Sequence, residues 1–158
     1  MTTLTAARAE SSAGVFQACG QGLLCAAYGT YELAANPTAA DIIEFCRIPG
    51  GAVVLGGWLY GDDIDTGTAE FDMDIGWAAN GAEAADPDGF GNFGVVSGDV
   101  VASIKPEVGI SMPLGGTLIT LGPQTFTKET VIQGVVNVDA ATGGTGQLTL
   151  TVYYVNNT

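Results

Sequence analysis

The sequence predicts an all-β domain, and three observations support this fold class. Short apolar runs of strand length recur along the chain from about residue 23 onward. Clusters of Gly, Pro, Asn and Asp separate these runs, as expected of strands joined by turns in a sandwich or barrel. Gly accounts for 24 of the 158 residues, about twice its usual share of about 7%, and no segment has the periodicity of a long amphipathic helix.

Nine strands are predicted, near residues 23–33, 41–48, 51–60, 68–76, 94–104, 107–112, 116–121, 130–139 and 147–155. Residues 1–20 are small and polar, and we expect a short N-terminal arm with a helical turn near Leu4–Glu10. Such an arm is either unattached or docked on a neighbouring molecule. Residues 21–158 are expected to form one β-sandwich domain, because a chain of this length suits a single hydrophobic core.

The two C-terminal strands have the clearest alternation of apolar and polar side chains. Apolar residues occupy every second position in 147–155, and the run 130–139 repeats this period of two, which is typical of strands with one buried face. The intervening residues 140–146 are rich in Gly and Thr. We therefore expect these two strands to form a hairpin.

The strand predicted at 51–60 has apolar side chains on both faces. Strict alternation places Val53, Leu55 and Leu59 on one face and Val54, Trp58 and Tyr60 on the other. A strand of this kind needs a cover on each side. The second cover is either a loop or arm of the same chain or another subunit, and we expect a homo-oligomer.

The charge balance argues against several kinds of partner. The chain has 17 Asp and Glu, 4 Lys and Arg and no His, so its net charge is −13. Nucleic acids and anionic membranes are bound through Lys and Arg, so we expect neither as a partner. No apolar stretch reaches the roughly 20 residues of a spanning helix. The N-terminus lacks the apolar block of a secretory signal, and we expect synthesis in a cytoplasm.

The absence of His also limits the possible chemistry. Serine and cysteine triads that use imidazole as the base, and His-ligated metal sites, are excluded. The Gly-rich residues 89–94 do not lie between a parallel strand and a helix, as a nucleotide-binding loop would. We therefore predict no catalytic residue, no cofactor and no enzymatic activity.

Nine carboxylates lie between Asp62 and Asp88. In the strand predicted at 68–76, a period of two places acids on one face and apolar residues on the other. The acids are Glu70, Asp72 and Asp74, and the apolar residues are Phe71, Met73 and Ile75. We expect a solvated strand face without a metal ligand. The alternatives are a Ca²⁺ site with Asp62, Asp63 and Asp65 and a pair of glycosidase acids.

The three cysteines are Cys19, Cys25 and Cys46. Free cysteines are among the most buried residues, so we expect three thiols in or near the core, with a Cys19–Cys25 disulfide as the alternative.

Five aromatic residues in the middle of the chain are candidates for an interface. They are Trp58, Tyr60, Trp77, Phe90 and Phe93. Aromatic side chains are common both in cores and at interfaces. Trp58 and Tyr60 are the stronger interface candidates, because their strand has other residues to fill its inner face.

The block from Asp41 to Gly76 resembles small head proteins of tailed bacteriophages, the decoration or cement proteins with a jelly-roll fold. The resemblance rests on Cys46-Arg47-Ile48-Pro49-Gly50-Gly51, Asp65-Thr66-Gly67 and Asp74-Ile75-Gly76. It implies an antiparallel β-sandwich of jelly-roll type that binds the major capsid protein on the outside of the virion head and stabilises the lattice, as a trimer made in the host cytoplasm.

A carbohydrate-binding or adhesive β-sandwich, as in a fibre or a lectin, is the alternative function. In that alternative the acid cluster binds Ca²⁺ and Trp58 or Trp77 stacks on a sugar, which requires exposed aromatic residues beside the acids.

Overall fold

The structure is a computed structural model that describes residues 1–7, 9–14, 22–62, 71–92, 110–139 and 145–156. Within these ranges the regular secondary structure is almost entirely β. The elements are β1 (Thr3–Thr5), β2 (Leu24–Leu33), β3 (Ile42–Ile48), β4 (Ala52–Gly61), β5 (Asp72–Trp77), β6 (Asp86–Asn92), β7 (Ile110–Pro113), α1 (Thr117–Thr120), β8 (Gln124–Thr125), β9 (Thr130–Val138) and β10 (Gly146–Asn156).

The strands form two sheets that pack face to face. Sheet 1 has the order β1-β3-β9-β5-β6, and sheet 2 has the order β2-β10-β4-β7, with β8 also paired to β4. The two sheets have corresponding strand orders. The order β2-β10-β4-β7 in sheet 2 corresponds to β3-β9-β5-β6 in sheet 1. This arrangement of eight strands is a jelly roll. The predicted antiparallel sandwich of jelly-roll type is therefore confirmed.

The core lies between the two sheets and contains the inward side chains of both. Its largest fully buried members are Tyr154, Phe45, Phe90, Phe126, Leu33, Ile43, Ile48, Leu59, Met73, Ile75, Ile132 and Leu148. Every second residue of β10 from Leu148 to Tyr154 is buried, as its alternation predicted. In the described part of the chain, no helix has the length and apolar character needed to cross a membrane.

Five of the predicted strands are confirmed as β2, β3, β4, β9 and β10, with ends that differ by about one residue. β5 begins at Asp72 and β7 at Ile110. Phe71, which was included in the predicted strand, precedes β5, while residues 68–70, 107–109 and 94–104 lie outside the described residues. The strand predicted at 116–121 is wrong, because α1 occupies this segment. Gly116 precedes α1 and has a φ of 57°, a backbone conformation that favours glycine. The residues after it form local hydrogen bonds instead of pairing with a neighbouring strand.

The predicted hairpin of the last two strands is also wrong. β9 belongs to sheet 1, between β3 and β5, whereas β10 belongs to sheet 2, between β2 and β4. The connection between them therefore crosses from one sheet to the other. Alternation shows that a strand has one buried face, but both sheets of a sandwich have such a face, so the pattern does not identify the partner strand.

β6 lies in a segment with no strand prediction, since its sequence DPDGFGN is rich in Gly and Asp. It pairs antiparallel with β5, and its glycines are needed for tertiary packing. A Cβ atom at Gly89 would overlap the ring of Trp77. Glycine favours turns, but at position 89 it is required because the Trp77 ring lies too close for any side chain.

The first residues of the predicted N-terminal arm dock on the same chain. β1 pairs in parallel with β3, with Thr3 opposite Ile42, so a strand replaces the start of the helical turn expected near Leu4–Glu10. The arm was expected to be unattached or on a neighbour because it has few apolar residues. Backbone hydrogen bonds to a sheet edge supply the contact instead. Arg8 and residues 15–20 of the arm lie outside the described residues.

The cysteines differ in state. Cys25 is disulfide-bonded, so the expectation of three free thiols is wrong for this residue. Cys46 is a free thiol that is fully buried in the core, as expected, and burial raises its pKa to about 12. Cys19 lies outside the described residues.

Gly29 tests the contact between the two sheets at β2. A Cβ atom at this position would overlap the carbonyl oxygen of Phe45 in β3. Because a backbone atom cannot rotate away, we expect Gly29→Ala to lower the free energy of unfolding by about 1–3 kcal/mol, as overpacking does. Urea denaturation measures this change. Gly14→Ala is the control, since nothing lies within 4 Å of its Cβ position, and equal stability of the two variants would contradict the close contact.

Asp41 predicts a pH dependence of stability. Hydrogen bonds from the backbone N–H groups of Thr38 and Thr2 lower its pKa. Its carboxylate therefore stabilises the fold above the unfolded-state pKa of about 3.9, and this contribution is lost as the pH falls through the lower folded-state value. We expect Asp41→Asn to be less stable than the wild type at pH 7, with a smaller difference at pH 3. Urea denaturation at both pH values is the measurement, and a difference that is independent of pH would contradict this role.

Candidate interaction surface

The outward face of sheet 2 is the candidate functional surface. Along β2 and β10 the buried and less buried residues alternate, so each strand directs one set of side chains into the core and one set outward. The outward set on β2, β10, β4 and β7 consists of Leu24, Ala26, Tyr28, Thr30, Glu32, Gln147, Thr149, Thr151, Tyr153, Val155, Val53, Leu55, Trp58, Tyr60, Ser111 and Pro113. We call this surface the aromatic face.

A β-bulge determines which residues of β4 belong to the aromatic face. Tyr153 pairs with Gly56 and Tyr154 pairs with Val54, so Leu55 is an additional residue in β4. Val54 and Leu59 are consequently both buried, whereas Leu55 is 45% exposed. The prediction that Val53 and Leu55 share a face with Leu59 is therefore wrong, because strict alternation does not account for the extra residue of a bulge.

Aromatic side chains and threonines form rows across the four strands. One row pairs Thr151 of β10 with Tyr28 and Trp58, and the next pairs Thr149 with Thr30 and Tyr60. The rings of Trp58 and Tyr60 are 6.4 Å apart between centroids, with an angle of 25° between their planes. The hydroxyls of Thr30 and Thr149 are hydrogen-bonded at 2.8 Å. The register of the sheet thus brings residues from separate parts of the chain into one surface.

The aromatic face has almost no charge. Among its members only Glu32, near the end of β2, carries a charge at neutral pH, although the whole chain has a net charge of −13. Tyr28, Trp58 and Tyr60 are between 38% and 45% exposed. The centres of protein interfaces are likewise depleted in charge and enriched in Tyr and Trp, because covering such residues leaves no charge buried without a partner.

The outward face of sheet 1 is polar by contrast. Asp72 and Asp74 lie on this face of β5, above the buried Met73 and Ile75, so the predicted acid stripe over an apolar layer is confirmed for this part of the strand. Asn137 donates a hydrogen bond to Asp72 at 3.2 Å. The guanidinium of Arg47 pairs with Glu129 at 2.8 Å. The two outer faces of the sandwich therefore differ in chemistry: the aromatic face carries a single charged residue, whereas the outer face of sheet 1 carries Asp72, Asp74 and the Arg47–Glu129 pair.

The five predicted interface residues separate into three groups. Trp58 and Tyr60 lie on the aromatic face. Trp77 and Phe90 lie in the core, with ring centroids 5.0 Å apart, and the indole nitrogen of Trp77 donates to the carbonyl oxygen of Ala84 at 3.0 Å. These two are structural residues and do not extend the surface. Phe93 lies outside the described residues.

Tyr28 and Tyr153 belong to the aromatic face but were not among the predicted site residues. Each lies on the polar side of a strand with clear alternation, next to threonines at i+2 or i−2. An aromatic residue on the polar side of a strand indicates an exposed ring, and this was the signal in the sequence that could have identified them. Their convergence with Trp58 depends on β10 lying between β2 and β4, which requires knowledge of the strand order.

The acids of the described residues do not assemble a metal site. No group of three or more His, Cys, Asp or Glu residues suitable for a metal occurs in this part of the chain. Asp62 accepts a hydrogen bond from the backbone N–H of Gln147 at 2.9 Å, while Asp63, Asp65 and Glu70 lie outside the described residues. Asp72 and Asp74 are on sheet 1 and Trp58 is on sheet 2, so these acids are not beside the exposed tryptophan as a lectin site requires.

Three solved capsid structures contain chains that are similar to this one. No protein-family profile matches the sequence, and no curated protein is similar to it. A chain in the capsid of Ralstonia phage GP4 superposes with a TM-score of 0.74 and 21% identity over 99% of both chains. A chain in the capsid of cyanophage Pam1 has a TM-score of 0.63 and 26% identity, over 92% of this chain and 94% of that one.

The third similar chain belongs to the capsid of Helicobacter pylori bacteriophage KHP30, with a TM-score of 0.57 and 16% identity over 85% of this chain and 88% of that one. The fold is that of phage capsid chains. The jelly-roll fold that the resemblance in residues 41–76 implies is therefore confirmed, and the similarity to capsid chains covers 85–99% of this chain.

The two tryptophans provide a test of the separation between surface and core. We expect Trp58→Ala to lower the free energy of unfolding by roughly 0.2–1 kcal/mol, which is the loss of a cross-strand pair. Trp77→Ala removes a buried ring against Phe90 and Phe126 and should cost about 3–5 kcal/mol. Chemical denaturation of both variants gives the two values. Similar losses for the two would contradict the placement of Trp58 on the surface.

Proposed function

We propose that this chain is a structural protein of a phage virion, and specifically a decoration protein that binds the outside of the head through the aromatic face. The observation that carries this proposal is the similarity to capsid chains over nearly the full length of both partners, including 26% identity to the Pam1 chain. A shared length as well as a shared fold favours the same kind of subunit, not a domain reused in another context.

The composition of the aromatic face suits attachment to a lattice. Its aromatic rings and threonine hydroxyls can cover an apolar or hydrogen-bonding surface without burying an unpaired charge. A head offers many identical sites. Modest affinity at each site is therefore sufficient when the subunits are also linked to one another, because linked contacts bind with avidity.

The acidic face would then point away from the head. The two outer faces lie on opposite sides of the sandwich, so a subunit bound through sheet 2 would have the outer face of sheet 1, with the half-buried Asp72 and Asp74, on the side away from the head. A decorated head would carry a dense negative surface. Charges of one sign keep particles apart in solution, which is a benefit for a particle that must stay dispersed.

We further propose that the chain acts as a homo-oligomer, with a trimer as the assembly implied by the resemblance. Closed symmetric rings are the usual outcome of self-association, and the major capsid protein is the other partner. The lectin alternative gains no support from the described residues, because Asp72 and Asp74 of the acid cluster lie on sheet 1 whereas the exposed Trp58 lies on sheet 2. No arrangement of described residues favours catalysis.

The test is binding to heads assembled from the major capsid protein of the parent phage and lacking this chain. We expect the wild type to co-sediment with the heads and Trp58→Lys to lower its affinity by more than about tenfold, because a buried unpaired charge costs several kcal/mol and 1.4 kcal/mol is a factor of ten. Val138→Lys is the matched control, since Val138 is 44% exposed on the other sheet.

Two results would contradict the proposal in different ways. If the wild type does not bind the heads, the decoration function is wrong. If Trp58→Lys binds as tightly as the wild type and Val138→Lys does not, the contact lies on sheet 1 and the role of the aromatic face is wrong. Addition of a chelator should leave binding unchanged, because the proposed contact does not depend on a metal.

A further inference from the structure

The N-terminal strand β1 is joined to the sandwich in a different way from the other strands. It is three residues long, lies at the edge of sheet 1 and is parallel to β3, whereas every other strand pairing in the described residues is antiparallel. We propose that in the oligomer β1 is exchanged, so that residues 2–6 of one copy pair with the β3 edge of another copy. This inference rests on the self-association proposed above.

The contacts that hold β1 are formed by backbone groups and by one carboxylate. The N–H of Ile42 donates to the carbonyl oxygen of Thr2 at 2.9 Å, and the N–H of Ala6 donates to that of Glu44 at 2.8 Å. The buried carboxylate of Asp41 accepts the N–H of Thr2 at 2.8 Å. The β3 edge therefore needs a strand to satisfy these groups, because unpaired backbone groups at an edge bind other strands.

A second copy of the chain satisfies every one of these contacts. The contacts join residues 41–44 at the β3 edge to residues 2–6 of the N-terminal segment. None of the hydrogen bonds between them involves the following strand β2, so they are the same whichever copy donates the strand. An exchanged strand thus keeps the hydrogen bonds of residues 2–6, and exchange of an identical element is a low-cost route to an oligomer.

The connection after β1 is long enough for exchange. Residues 6–23 join β1 to β2, and a segment of this length can extend over on the order of 60 Å. Its described part lies against sheet 1. A cavity of about 400 Å³ lies between them, lined by Glu10, Ser11, Arg47 and Val131 among others, and the side chains that the connection buries, Ala6 and Ala9, are small.

The charge of the chain makes exchange useful for self-association. Copies with a net charge of −13 repel one another, and the aromatic face is assigned to the lattice. An exchanged β1 links copies through backbone hydrogen bonds that do not depend on charge. It therefore provides a connection between subunits that leaves the aromatic face available.

A cysteine pair across the β1–β3 contact tests the proposal. Thr5 and Glu44 are partners in the register, and their side-chain oxygens are 3.3 Å apart. We expect the full-length double variant Thr5→Cys/Glu44→Cys, once oxidised, to run on a non-reducing denaturing gel at multiples of the subunit mass. Cys46 is buried, and the wild type, oxidised in parallel, is the control for links through native cysteines.

A mixture of the two single variants provides a second measurement that does not depend on the double variant folding well. Co-refolded Thr5→Cys and Glu44→Cys chains should form a covalent dimer that contains one chain of each kind, identified by mass spectrometry. Circular dichroism establishes that each chain is folded.

Covalent oligomers in the double variant and the mixed dimer would support exchange. Cross-linking confined to single chains, with no mixed dimer, would overturn it. This result leaves the decoration function standing, because binding of the wild type to heads is measured separately.

Discussion

β10 lies in the middle of sheet 2, hydrogen-bonded to β2 on one side and to β4 on the other, and both the core and the candidate surface depend on its alternating side chains. Its inward residues Leu148, Leu150, Val152 and Tyr154 are almost completely buried. Its outward residues Thr149 and Thr151 set the rows in which Tyr28, Trp58 and Tyr60 lie. A register shift of one residue would exchange the two sets, so that the hydrophobic burial of the core also determines the composition of the outer face.

The distribution of charge follows from the same division into faces. Of the outward side chains in sheet 2 only Glu32 is charged, while sheet 1 has Asp72, Asp74 and the Arg47–Glu129 pair on its outer side. A protein with few cations cannot neutralise its acids by ion pairing, and acids on the aromatic face would be left without a partner if that face were covered. The two outer faces of the subunit therefore differ in charge.

The aromatic face and β1 would have separate roles in an assembled head. The aromatic face would bind to the lattice and become buried there, and β1 would link copies by pairing with a sheet edge. The attachment of β1 should depend on pH, because the Asp41 carboxylate accepts a hydrogen bond from Thr2 and loses its stabilising contribution at low pH. The buried thiol of Cys46 takes part in neither role, since burial raises its pKa to about 12 and leaves it unreactive.

The sequence by itself determined the fold class, five strands nearly to the residue, the acid stripe over Met73 and Ile75, and the two exposed aromatic residues Trp58 and Tyr60. These features follow from a period of two and from composition, which are local properties. The tertiary structure decided which sheet each strand joins, as the separation of β9 from β10 shows. It also decided the bulge that places Leu55 outward, the burial of Trp77 against Gly89, the docking of β1, and the convergence of Tyr28 and Tyr153 with Trp58. Each of these depends on contacts between residues far apart in the chain, and no local pattern encodes them.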